Sequence, residues 1–147
     1  MPIKVKRRGS ATWTGGAFEG RGSISSASGA LCDFPYGAAS RFEGRPGSNP
    51  EELLAAAHAA CFTMALTLVL GQAGLKADAL RTEAEVTLEE QDGDFVIPAV
   101  HLTVRGQVAD LSLADFQAHV ARTHEICPVS KLFRAEITHA ASLDAAA

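Results

Sequence analysis

The sequence predicts an α+β fold, with mainly antiparallel sheets wrapped around central apolar helices. Three observations carry that expectation. Short alternating polar and apolar segments stand at both ends of the chain and before its last third. One stretch, Leu53 to Leu70 (LLAAAHAACFTMALTLVL), runs 18 residues without a formal charge. A later segment has the amphipathic spacing of a surface helix. At 147 residues and 47% hydrophobic, the chain is long and apolar enough to bury a sizeable core, which excludes intrinsic disorder. We expect a single domain over residues 1–147.

Taken in order, Ile3 to Lys6 and Ala11 to Thr14 alternate as strands, and Gly15-Gly16 is a hairpin signal. Gly37 to Gly47 (GAASRFEGRPG) reads as a loop or strand–loop segment. The central helix has a sharp start. Ser48 or Asn49 can cap it, Pro50 suits its first turn, and Glu51 and Glu52 suit the positive end of its dipole. It should run to about Leu70, with Gly71 and Gly74 as the stop. Ala84, Val86 and Leu88 then share a strand face, and Gln91 to Asp94 turns. Phe95 to Val108 returns as a strand whose Pro98 predicts an edge or a bulge. Ser112 opens a second helix with Asp115 three residues on, and Leu113, Phe116 and Val120 form its stripe. Cys127-Pro128 starts a short helical turn, and Ala135 to Leu143 alternates as a final strand.

Charge and composition narrow the function. Asp and Glu (17) outnumber Lys and Arg (13), a net charge of −4, opposite to what phosphate neutralisation asks for, so we expect no nucleic-acid partner. The basic opening, Lys4 to Arg8, reads as the solvent side of a strand. The 18-residue apolar run is long enough to span a bilayer by count. Its alanines, His58, Thr63 and Thr67 make it a core helix instead, and we expect no membrane partner. The N-terminus has no apolar core behind its positive charges, so the expected location is the cytoplasm. There, cysteines are more often catalytic or redox-active than structural.

The three cysteines differ in setting. Cys61 lies inside the apolar helix, where a thiol is ordinarily a small hydrophobe with a raised pKa. Cys127 precedes Pro128 at a helix start, where backbone N–H groups and the dipole favour a thiolate. His58-Ala59-Ala60-Cys61 and His124-Glu125-Ile126-Cys127 are two His-x-x-Cys units. Positions i and i+3 share a helix face, so His58, Cys61, His124 and Cys127 could together hold zinc as a Cys₂His₂ structural site. The plainer reading makes His58 a packed core residue and His124 a surface one. Arg41, Glu43, Glu51 and Glu52 are the charged candidates. An Arg beside a thiol stabilises the thiolate, and a carboxylate can hold the Arg. Read alone, they are a solvated loop and an acidic helix start. A third class, an apolar small-molecule-binding module, would use the same apolar surfaces without thiol chemistry.

Residues 35–68, PYGAASRFEGRPGSNPEELLAAAHAACFTMALTL, with Cys127-Pro128-Val129-Ser130-Lys131 downstream, closely resemble the OsmC branch of the OsmC/Ohr peroxidase family. The similarity runs over nearly the whole chain in order and spacing. It implies a thiol-dependent peroxidase acting on organic, and also hydrogen, peroxides, with no metal, flavin or haem cofactor. By the same resemblance Cys61 matches the peroxidatic cysteine and Cys127 the resolving one. Arg41 matches the arginine that activates the thiolate, and Glu51 the carboxylate that orients it. In the Ohr branch the arginine follows a Gly-Gly turn. Here Gly15-Gly16 is followed by Ala17, which places the chain in the OsmC branch. Cys32 matches no family motif. The resemblance also implies a dihydrolipoyl-type dithiol reductant and an intertwined homodimer with sites at the interface. Leu54, Ala57, Phe62 and Met64 are the expected apolar walls for an alkyl substrate. Glu51 and Cys61 are ten residues apart, about 15 Å along a helix axis, so Glu51 would serve the site from a second subunit.

Overall fold

A computed structural model describes residues 2–145. The chain forms two compact units that meet in sequence at Pro50 and Glu51. The first holds a three-stranded antiparallel sheet: β1 (Gly9–Thr14), β2 (Arg21–Ser26) and β3 (Phe34–Tyr36). Gly15, at φ +93°, makes the turn after β1, in line with the Gly-Gly signal. The alternation at Ile3 to Lys6 does not become a strand. Ile3 is 91% and Val5 64% exposed, the lysines between and after them favour water, and no strand among the described residues pairs with that segment.

The segment expected as a loop after Gly37 contains a five-residue helix, α1 (Ala38–Phe42). Its anchor is the buried Ser40, whose hydroxyl donates to the Ser48 carbonyl at 2.7 Å and accepts from the Gly37 N–H at 3.0 Å. A Cβ at Gly47, itself at φ +127°, would come within 3.0 Å of Ser40 Cβ. The small Ser40 side chain and the missing Cβ at Gly47 are what let the segment fold back on itself. Propensity alone does not report such a contact.

The second unit begins with α2 (Pro50–Gln72), Pro50 occupying the first turn as expected. The helix closes at Gly74, φ +75°, where the Leu75 N–H reaches back to the Leu70 carbonyl at 2.8 Å. β4 (Ala77–Gln91) and β5 (Asp94–Val108) form a long antiparallel hairpin through Asp92-Gly93, both with positive φ. Pro98 sits in a bulge: Thr87 pairs with Ala99 and Glu89 with Val96, so two residues of β5 face one of β4. α3 (Leu113–Ile126) starts at Ser112, whose hydroxyl accepts from the Asp115 N–H at 3.1 Å. Leu113, expected in its apolar stripe, is 47% exposed, and the buried stripe is Phe116, Val120 and Thr123. After α4 (Pro128–Leu132), β6 (Glu136–Leu143) joins β5 in parallel, the one parallel pairing among the described strands.

The core of this unit lies between one face of α2 (Phe62, Ala65, Leu66, Leu70), the inward residues of β5 (Val100, Leu102, Val104, Val108) and α3 (Phe116, Val120). Gly106 lets α3 approach: a Cβ there would stand 2.8 Å from the Phe116 ring. The apolar run is therefore a core helix. It is long and apolar enough to cross a membrane, but its buried residues are the centre of the cluster. Its other face is open, with Met64 72% and Leu68 60% exposed.

Candidate functional site: a paired-thiol centre

Cys61 occupies the middle of α2, half-buried, one residue before the fully buried Phe62. The polar Thr63 beside it is accommodated because its hydroxyl donates to the Ala59 carbonyl at 2.7 Å and shares a second hydrogen bond with the Thr82 hydroxyl, also at 2.7 Å. This ties the Cys61 turn of α2 to β4.

Cys127 ends α3 and begins α4. Proline restricts the residue before it to extended backbone, and Cys127 adopts φ −61°, ψ +119°. Its N–H bonds to the Thr123 carbonyl at 2.9 Å, and its carbonyl accepts from the Lys131 N–H at 3.0 Å. The Cys-Pro dipeptide thus breaks one helix and starts the next within a single residue, and the Cys127 side chain is fully buried.

The fold brings the two thiols together. The Cys61 thiol stands beside the Cys127 side chain, near the Val129 backbone N–H. A helix-start N–H of the kind expected to favour a Cys127 thiolate thus acts on Cys61. Burial pushes the Cys61 thiol pKa up, the Val129 N–H pulls it down, and the neighbouring Cys127 thiol adds to the rise. The net direction is upward.

The histidines do not join the thiols as ligands. His58 is fully buried, with Nε2 2.7 Å from Ser130 Oγ and its ring edge-on to Phe133 at 5.3 Å. His124 stands with its ring centroid 5.9 Å from that of His139. No group of three or more His, Cys, Asp or Glu among the described residues is arranged to hold a metal ion. The Cys₂His₂ alternative therefore fails on geometry: spacing put each pair on one helix face, but the two faces meet thiol to thiol. Burial, then the nearby His124, lowers the His58 pKa, and burial, then His124 and His101, lowers that of His139.

Arg41 belongs to the first unit, on α1, with its guanidinium carbon 5.4 Å from the Phe42 ring centroid. With Trp13, Tyr36 and Phe42 it lines a cavity of about 320 Å³. Those aromatics were not singled out in the sequence, where they are scattered over thirty positions. Glu51 is buried in the first turn of α2, ten residues and about 15 Å of axial rise from Cys61. Of the expected apolar walls, Phe62 is core rather than wall, whereas Met64 is exposed and Leu54 half-buried. Cys32 is exposed. Ser130 was missed as a site neighbour. Its signal was available, one turn after Cys127 in the Cys-Pro-Val-Ser run.

An α+β chain whose core helix carries one thiol against a second thiol at a helix junction falls in the class of dithiol proteins. The chain belongs to the OsmC-like protein family, whose family model matches residues 42–142. It is 42% identical over 136 residues to peroxiredoxin OsmC of Escherichia coli (strain K12), spanning 92% of this chain and 95% of that protein. It is 40% identical over 97 residues to the organic hydroperoxide resistance protein OhrB of Bacillus subtilis (strain 168), 65% of this chain and 68% of the relative. The crystal structure of the B. subtilis OhrB superimposes with a TM-score of 0.67 at 33% identity, covering 93% of this chain and 98% of that one.

Proposed function

We propose that this protein is a cysteine peroxidase that reduces organic hydroperoxides, and hydrogen peroxide, as part of an oxidative stress response. The observation that carries the reading is the approach of the Cys61 thiol to Cys127. The names of its relatives, a peroxiredoxin and an organic hydroperoxide resistance protein, support a peroxide-reducing role.

The Cys61 thiolate attacks the distal peroxide oxygen; the O–O bond breaks, alcohol or water leaves, and Cys61 becomes a sulfenic acid. Cys127 then forms the disulfide, and its proton leaves with the sulfenic hydroxyl as water. An external dithiol, of the dihydrolipoyl type that the resemblance implies, restores both thiols and becomes a disulfide itself. Because burial raises the Cys61 pKa, the reaction needs a cation, the role assigned to Arg41, with Glu51 orienting it. The open apolar face at Met64 and Leu68 supports a homodimer, and the separation of Glu51 from Cys61 along α2 supports Glu51 acting in the partner's site. The cytoplasm, where thiols are kept reduced, is the location this chemistry suits.

The test is a free-thiol count before and after one equivalent of tert-butyl hydroperoxide. Starting from three free cysteines, loss of Cys61 and Cys127 with Cys32 retained is the expected result. Unchanged thiols would overturn the reading. Steady-state rates with cumene hydroperoxide, tert-butyl hydroperoxide and hydrogen peroxide, using dihydrolipoamide against a thioredoxin system, assign substrate and reductant. A monomer at micromolar concentration by sedimentation would overturn the dimer.

A further inference from the structure

The proposed peroxide chemistry leaves His58 without a part. It is fully buried, yet only one of its ring nitrogens is used: Nε2 meets Ser130 Oγ at 2.7 Å, while Nδ1 is buried with no hydrogen-bond partner among the described residues. An apolar ring of the same shape would fill this place without an unpaired polar atom, so the imidazole must contribute something packing alone does not. What it contacts is informative. Ser130 is itself buried, three residues after Cys127 and one after Val129, whose N–H acts on the Cys61 thiol. His58 lies one helical turn before Cys61 on the same face of α2. The hydrogen bond therefore runs beside the thiol pair and joins the same two segments, α2 and the Cys127–Ser130 turn. The His58 ring is also flanked edge-on by Phe62 and Phe133, at 6.4 and 5.3 Å between centroids, which fixes its plane.

We propose that His58 is a positioning residue: its hydrogen bond to Ser130 holds the Cys127–Pro128–Val129 turn against Cys61. The Cys127 sulfur is thereby kept within bonding reach of the Cys61 sulfur through the oxidised state. In the step it serves, the S–O bond of the Cys61 sulfenic acid breaks, the S–S bond to Cys127 forms, and the thiol proton departs in water. Its part in peroxide turnover rests on the peroxidase reading. Its effect on the thiol pair does not, because any route to the disulfide depends on the same approach of the two sulfurs.

The experiment uses the full chain and four variants: His58→Phe, Ser130→Ala, the double variant, and His58→Gln. Each is equilibrated in mixtures of reduced and oxidised dithiothreitol, and the Cys61–Cys127 disulfide is quantified by thiol counting. Circular dichroism establishes that each variant is folded, and Ser130→Ala, the smaller change, carries the test if His58→Phe is not. The expected result is an equilibrium shifted toward the dithiol by roughly ten-fold, the scale on which small misplacements of reacting groups act. The double variant should be no worse than either single one, because both remove the same bond, and His58→Gln should restore part of the loss. In rapid mixing with tert-butyl hydroperoxide, the variants should close the disulfide more slowly once the sulfenic acid has formed and should accumulate sulfinic acid. A wild-type dithiothreitol equilibrium in both His58→Phe and Ser130→Ala would overturn the proposal, whatever the peroxide result. A shifted equilibrium supports it even in a protein that consumes no peroxide, so the two readings fail separately.

Discussion

In the first His-x-x-Cys unit the histidine is the hidden partner: His58 is fully buried and Cys61 half-buried. In the second unit the order is reversed, with Cys127 fully buried and His124 half-buried. The spacing is the same, and both units lie on helical backbone up to the cysteine. What differs is where each cysteine falls in its helix. Cys61 is in mid-helix, so its neighbours on the inner face carry the burial. Cys127 is at a helix end forced by Pro128, and the chain turns the thiol inward there. Identical spacing therefore yields a half-buried thiol backed by a fully buried imidazole in one unit and a fully buried thiol behind a half-buried imidazole in the other. The proposed roles, Cys61 attacking and Cys127 resolving, call for such an asymmetry.

The largest test of that asymmetry is chemical. Cys61→Ser should reduce peroxide consumption to background. Cys127→Ser should consume one equivalent to reach the Cys61 sulfenic acid and a second in over-oxidising it to the sulfinic acid, and then stop, because no resolving thiol is left. Equal behaviour of the two variants in a peroxide-consumption assay would remove the distinction.

Next is packing. Phe62→Ala, on the face of α2 that supports Cys61, should cost about 3–5 kcal/mol in urea unfolding, as for other fully buried aromatics. A cost under about 1 kcal/mol would mean that this face does not anchor the site.

A smaller effect concerns pH. Burial, then His124, lowers the His58 pKa below its ordinary 6.5, so the unfolded chain takes up a proton at higher pH than the folded one. The stability tied to neutral His58 is present above pH 6.5 and is lost as pH falls through the folded-state value. His139, lowered by burial and then by His124 and His101, acts in the same direction. The melting temperature of the wild type should therefore fall between pH 7 and pH 5, and His58→Phe should flatten that slope. An unchanged slope in the variant would assign the pH dependence elsewhere.

The smallest expected effect is at His124, whose Nδ1 is buried without a hydrogen-bond partner among the described residues. His124→Gln should leave unfolding stability within about 0.5 kcal/mol and the dithiothreitol equilibrium at the wild-type value. A loss matching that of His58→Phe would make the two units equivalent.

Much of this architecture was legible beforehand, because local rules decide it. Pro50 with Glu51 and Glu52, Gly74, Asp92-Gly93 and Ser112 with Asp115 mark element ends through backbone restriction and capping, which act within a few residues. The candidate thiols and the OsmC resemblance were legible for a similar reason, since motif residues stand together in short runs. Three features were not. The strand expected at Ile3 lacks a partner, α1 depends on the Ser40–Ser48 contact, and the parallel pairing of β6 with β5 depends on where the α3–α4 crossover returns the chain. Each rests on a contact between residues whose relation is not periodic in sequence.

By itself, the sequence determined the class of elements, the core helix with its cysteine, the helix break at Cys127-Pro128, and membership of a thiol-bearing family. Those follow from hydrophobic period, proline and glycine stereochemistry, and contiguous motifs. Only the tertiary structure decided that Cys61 meets Cys127 rather than a zinc ligand set, that the Val129 N–H serves Cys61, and that His58 is spent on Ser130. The physical reason is that thiol and imidazole chemistry depends on burial and on which atoms lie within hydrogen-bonding reach. For residues more than sixty positions apart, packing of α2 against the α3–α4 turn sets both.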